Sequence, residues 1–195
     1  MAPAAQLPSD RRAEQGGTLF LLALMIFFFT SILLYGLYAY WRRDDPQTQT
    51  PLPVGFLGST LCLLFISVLV HAATRMVRRQ KRLETSVLLV LSLISALVFM
   101  GLQFVSMQDL IRAPLVAQGM SKGVIGMIFV LAFLHALHVA GGIVSLGIVS
   151  VRSIGGRYDH ERHWPVDFAA QYWHFLDLVW LFMLAAFWLT TGGFA

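Results

Sequence analysis

A chain of 195 residues with 57% hydrophobic and only 12% charged side chains is too apolar for a soluble domain, in which about 25% of residues are charged. The apolar excess falls in long runs, which points to an integral membrane protein and leaves no polar stretch large enough to fold as a soluble domain. The formal net charge of +4 arises from basic residues flanking those runs, where they set orientation and meet headgroups, so it argues for no nucleic-acid partner.

In chain order, residues 1–17 read as a polar N-terminal segment carrying Arg11 and Arg12. The first apolar run, Thr18–Trp41, exceeds the roughly 7–15-residue core of a secretion signal, and no small-residue cleavage site follows it. It is therefore expected to be a retained span. Further runs lie at Gly55–Met76, Ser86–Met107, Val124–Val151 and Phe168–Thr191. Each exceeds the roughly 20 residues that cross a bilayer core as a helix. None alternates polar and apolar as a barrel strand would. The fold class predicted is all-α, with residues 18–195 forming one bundle of five transmembrane helices.

Breakers fall between the runs: Pro46, Pro51 and Pro53, then Pro114, then Gly155, Gly156 and Pro165. No internal repeat is visible, whereas an inverted-repeat transporter would carry one. Cys62 is the only cysteine, which excludes an intrachain disulfide and cysteine-pair metal or haem motifs.

Basic residues set the orientation. Arg11, Arg12, Arg75, Arg78, Arg79, Lys81, Arg82, Arg152, Arg157 and Arg162 fall on one side, against Arg42, Arg43, Arg112 and Lys122 on the other. That excess predicts a cytoplasmic N-terminus and a C-terminus on the outer face. Arg75, Arg78 and Arg79 are also expected contacts for anionic lipid, although a topology signal accounts for them equally well.

Ionisable groups inside the spans carry the chemistry worth weighing. The fourth span holds His135 and His138, three apart and so on one helix face; the fifth holds His174 and Asp177 with the same spacing. An aspartate at mid-span costs about 2.5–3.5 kcal/mol on insertion scales unless it is partnered. Two histidines on one helix cannot supply axial ligands to opposite faces of a haem, and a metal would need a further ligand and supporting contacts. A structural polar cluster of His135, His138, His174 and Asp177, locking the fourth helix to the fifth, is the reading preferred. Ala132, Ala136 and Ala140 recur every fourth residue, a small-residue stripe suited to close helix approach. Proton transfer through the cluster would need a path that the apolar outer half does not extend. His71, near a span end, is expected to snorkel toward water. Phe20, Phe27, Phe28 and Phe29 read as packing or lipid contact, and Asp159, His160, Glu161, His163 and Asp167 as a solvated loop.

With these residues in view, the chain resembles subunit III of the haem-copper oxidases, which include cytochrome c and quinol oxidases. The resemblance is carried by Tyr172-Trp173-His174-Phe175, Asp177 and Val179-Trp180-Leu181-Phe182 in the last span. His135 and His138, Gln103, and Ser59-Thr60 with Leu63-Leu64 add to it. The five spans are similar to a short bacterial form of the family. The sequence departs from the family at Leu24 and Ser106, where the resemblance would place membrane carboxylates, and Ala136 replaces a glycine.

The resemblance implies a non-catalytic accessory subunit in a bacterial inner membrane, part of an aerobic respiratory chain. It would hold no haem or copper of its own, since these are expected in partner subunits. It would bind the catalytic subunit I and other oxidase subunits, hold phospholipid, and assist proton uptake. Two alternatives remain: an accessory subunit of a nitric oxide reductase, and an independent small transporter.

Overall fold

The computed structural model describes residues 8–43, 52–112, 123–156, 164–191 and 193–194. Five helices account for nearly all of them: α1 (Pro8–Trp41), α2 (Gly55–Arg78), α3 (Arg82–Arg112), α4 (Val124–Ile154) and α5 (Trp164–Thr191). All five are long and apolar enough to cross a membrane. Each contains one predicted run, and all five extend beyond it at one end or both. The largest difference is at the start, where helix begins at Pro8 instead of Thr18. Intrahelical hydrogen bonds satisfy the backbone in water as well as in lipid, so a polar sequence can continue the helix past the hydrocarbon. Proline suits a first helical position, where its missing N–H has no partner to lose. Pro46, Pro51, Pro114, Lys122, Arg157, Asp159, His160, Glu161, Arg162 and His163 lie outside the described residues.

The helices close on one another in a defined order. α2 packs on α3, α3 on α4, α4 on α5, and α5 returns to α2, making a ring of four; α1 lies outside it, against α5 and α4. Buried positions repeat every third and fourth residue, as in left-handed bundles. On α3 they are Thr85, Leu89, Ser92, Ala96, Phe99, Gln103, Ser106 and Leu110. On α2, Phe56, Ser59, Leu63, Ile66, Val70, Ala73 and Val77 follow the same rule. Trp173, Trp180 and Phe187 mark one stripe of α5 at seven-residue intervals, all fully buried.

Connections explain the antiparallel order. Between α2 and α3 the Gln80 N–H bonds to the Val77 carbonyl and the Lys81 N–H to the Met76 carbonyl, the paired bonds of a Schellman stop. Gln80 takes the left-handed conformation there, with φ 61°, where glycine is usual. Ser86 Oγ and Ser153 Oγ, 2.8 Å apart, join α3 to α4 near the same end. That end carries Arg75, Arg78, Arg79, Lys81, Arg82 and Arg152, and is called the basic end below. At the other end Leu52 and Phe194 form an isolated parallel bridge, with the Leu52 N–H donating to the Gly193 carbonyl at 2.9 Å. The Tyr35 hydroxyl and Thr190 hydroxyl bond there as well, tying α1 to α5.

Candidate functional site

The polar and aromatic groups of α5 face three different neighbours. Toward α2, α3 and α4 points Trp180, fully buried. Its Nε1–H donates to Thr60 Oγ1 at 2.9 Å. The His135 ring stacks on its face, with centroids 5.5 Å apart. Phe56 and Phe99 meet it edge-on at 5.7 and 6.5 Å. One side chain thus touches three helices. Gln103 follows Phe99 by one turn on the buried stripe of α3, and it is 4% exposed.

Toward α1 and α4 points Tyr172, whose hydroxyl donates to the His138 carbonyl at 2.9 Å. The His138 Nδ1 lies 2.7 Å from the Leu134 carbonyl. A carbonyl only accepts, so Nδ1 carries the proton. Phe28 of α1 packs edge-on against His138 and His135, at 4.9 and 6.0 Å, and Phe175 lies 6.3 Å from Phe28. Gly142 allows this approach. A Cβ built on it would sit 3.2 Å from Tyr172 and 3.3 Å from both Trp173 and Leu176.

Toward α2 points a polar seam. Ser67 Oγ and His174 Nδ1 are 2.6 Å apart, and the His71 ring lies 5.8 Å from that of His174. Asp177 Oδ2 is 3.8 Å from the same His174 nitrogen, beyond hydrogen-bond range. The His174 side chain is 42% exposed and that of Asp177 is 8% exposed. Nearer the basic end, Arg78 donates to Asp167 Oδ2 at 3.0 Å. Arg78 therefore serves an α2–α5 ion pair, while Arg75 and Arg79 are exposed.

The four residues expected in one polar cluster divide into two sets. Among the described residues, no hydrogen bond, ion pair or ring contact joins His135 or His138 to His174 or Asp177. His135 connects α4 to α5 through the Trp180 ring, whereas His174 meets Ser67 and His71 of α2 and Asp177 lies beside His174 on its own helix. Ser67 escaped the sequence reading. Its signal was spacing: Thr60, Ser67 and His71 recur at seven and four residues and face α5 together. No three His, Cys, Asp or Glu side chains converge as metal ligands among the described residues.

The Arg78–Asp167 pair makes a measurable test of how much this seam contributes. Arg78 is 61% exposed, and exposed pairs contribute about 0–1 kcal/mol. Asp167→Asn should lower the thermal midpoint only slightly, and raising the salt concentration should shrink that difference. A large, salt-insensitive loss would contradict this reading.

Against this geometry, the family comparison is decisive. The family model for cytochrome c oxidase subunit III matches residues 15–191. The chain belongs to the cytochrome c oxidase subunit III family. Its relatives named cytochrome c oxidase subunit 3 include one from Marchantia polymorpha, 31% identical over 156 residues, covering 80% of this chain and 56% of that protein. One from Pylaiella littoralis is 30% identical over 174 residues, covering 87% and 61%. Another, from Arabidopsis thaliana, is 32% identical over 147 residues, covering 75% and 53%. The chain spans little more than half the length of these relatives. The matched span takes in all five helices, the α5 contacts described above among them.

Proposed function

We propose that the chain is a non-catalytic accessory subunit of a respiratory haem-copper terminal oxidase. Haem and copper sit in partner subunits, and this chain stabilises the catalytic subunit and holds phospholipid. The observation that carries the reading is the match of residues 15–191 to the subunit III family. The geometry supports it, because Trp180, His135 and Tyr172 are engaged in helix packing and so are not arranged around a substrate. A contribution to proton uptake falls to the exposed His174 and its neighbour Asp177, since Leu24 and Ser106 stand where the resemblance would put carboxylates. The excess of basic residues at one end supports placing that end in the cytoplasm. The five membrane-length helices support a multi-pass membrane protein, and a bacterial inner membrane is the finer location proposed for it.

Purification in mild detergent, followed by a reduced-minus-oxidised spectrum, tests this. The chain should travel with a larger haem-bearing membrane protein and lose the haem signal when separated from it. Stoichiometric haem on the isolated chain would refute the proposal. Leu24 and Ser106 also favour a second reading, an accessory subunit of a nitric oxide reductase. The catalytic activity of the co-purifying chain, oxygen or nitric oxide reduction, separates the two.

A further inference from the structure

The outward side of the α2–α5 seam is polar at a depth where lipid is apolar. His71 and His174 are both exposed there, with their rings 5.8 Å apart. Each stands seven residues from its own helix's member of the Arg78–Asp167 ion pair. Both therefore lie about 10 Å from that pair toward the membrane centre, at 1.5 Å per residue. One turn nearer the ion pair, Arg75 and Gln171 are exposed. About one turn farther in, Val68 and Leu178 are exposed and apolar.

Lipid tails do not satisfy such a surface. Ionisable side chains within spans normally turn inward, to a partner or to a water-filled cavity. The long stem of an arginine reaches the headgroups from below, but an imidazole two turns down is too short to do so. The seam meets only part of the demand. Ser67 Oγ takes His174 Nδ1 at 2.6 Å, and Asp177 Oδ2 lies 3.8 Å from that same nitrogen. Among the described residues, His174 Nε2 and the two ring nitrogens of His71 have no hydrogen-bond partner. The Ser67 hydroxyl can donate to Nδ1, which leaves the proton on Nε2 as a donor for something beyond this chain.

We propose that a membrane-spanning helix of another chain docks on this face and presents an acidic side chain to His71 and His174. This rests on the accessory-subunit reading above and supplies its contact surface. Charge selects the acid. The exposed groups include Arg75, His71 and His174, whereas the nearby carboxylates are already engaged, Asp167 by Arg78 and the buried Asp177 beside His174. A carboxylate only accepts, and its two oxygens can take one N–H from each imidazole. A phospholipid phosphate stays at headgroup level, two turns away. Val68 and Leu178 give the same helix an apolar surface to pack on deeper in the membrane.

The two ring nitrogens of His174 separate this contact from the internal seam. His174→Asn keeps a polar atom near the Nδ1 position, for Ser67, and gives up Nε2; His174→Gln reaches toward Nε2. The assembly would be purified through a tag on this chain, washed in mild detergent, and its co-purifying chains quantified by mass spectrometry. His174→Asn and His71→Leu should lose the docked chain several-fold, and His174→Gln should retain more of it than His174→Asn does. A second measurement leaves both histidines in place. A benzophenone side chain introduced at Leu178, one turn from His174, should on irradiation join this chain to a membrane-spanning peptide of another chain that contains Asp or Glu. A probe that labels lipid alone, or a peptide with no acid, would overturn the proposal. So would wild-type retention in both His174→Asn and His71→Leu. A crosslinked assembly without haem would count against the oxidase reading and leave the docking surface standing.

Discussion

Trp180→Ala should destabilise the bundle by about 3–5 kcal/mol, the usual cost of deleting a large buried aromatic. Trp180 is fully buried and touches α2, α3 and α4 at once, through Thr60 and Phe56, Phe99, and His135. Between helices in lipid the hydrophobic effect contributes little, so dispersion and interhelical hydrogen bonds carry the association. Deleting this ring removes both. Trp180→Phe separates the two contributions: it keeps most ring contacts and loses the bond to Thr60, for a cost of about 1 kcal/mol. Thermal unfolding in detergent, followed by circular dichroism, reads the difference. If alanine costs no more than phenylalanine, packing around Trp180 is not what joins the ring of four helices.

Gly142→Leu should be of similar severity through the opposite physics. The Cβ alone would sit 3.2–3.3 Å from Tyr172, Trp173 and Leu176, and a leucine adds three more carbons beyond it. Overpacking typically costs about 1–3 kcal/mol. Here the side chains in the way are two aromatics and a leucine on one rigid helix, so α5 itself must move. That shift would pull the Tyr172 hydroxyl from the His138 carbonyl. Gly101→Leu, where nothing lies within 4 Å, should be tolerated and gain helix propensity. A denaturant titration in mixed micelles distinguishes them, and equal midpoints for the two variants would rule out close α4–α5 packing at Gly142.

The spans were readable in the sequence because hydrocarbon demands unbroken apolar runs, and all five helices contain the run assigned to them. Which face of each helix turns inward was far less readable. In water a buried stripe stands out by its hydrophobicity. In lipid both faces are apolar, and the contrast disappears. What marks the inside here is the reverse signal, small and polar residues along the buried stripe: Ser59 on α2; Thr85, Ser92, Gln103 and Ser106 on α3; His135, Gly142 and Ser153 on α4. His135 and His138 show the limit of spacing arguments. Three residues apart, they share a broad face, yet one stacks on Trp180 while the other bonds its own helix and meets Phe28. The polar extension of α1 back to Pro8 was invisible for a related reason: residues 8–17 hold no apolar run to mark a helix, and Gly16-Gly17 weighs against one.

The last helix is the least apolar of the five and the one most enclosed by the others. Of the five it is also the last to leave the ribosome. When α5 reaches the bilayer with His174, α2 is already there with Ser67 and His71 in place, and α4 presents the open surface of Gly142. A segment that would enter lipid poorly by itself arrives to find its hydrogen-bonding and packing partners assembled. The order of synthesis therefore matches the order of need: the self-sufficient spans insert first, and the one that depends on neighbours inserts among them.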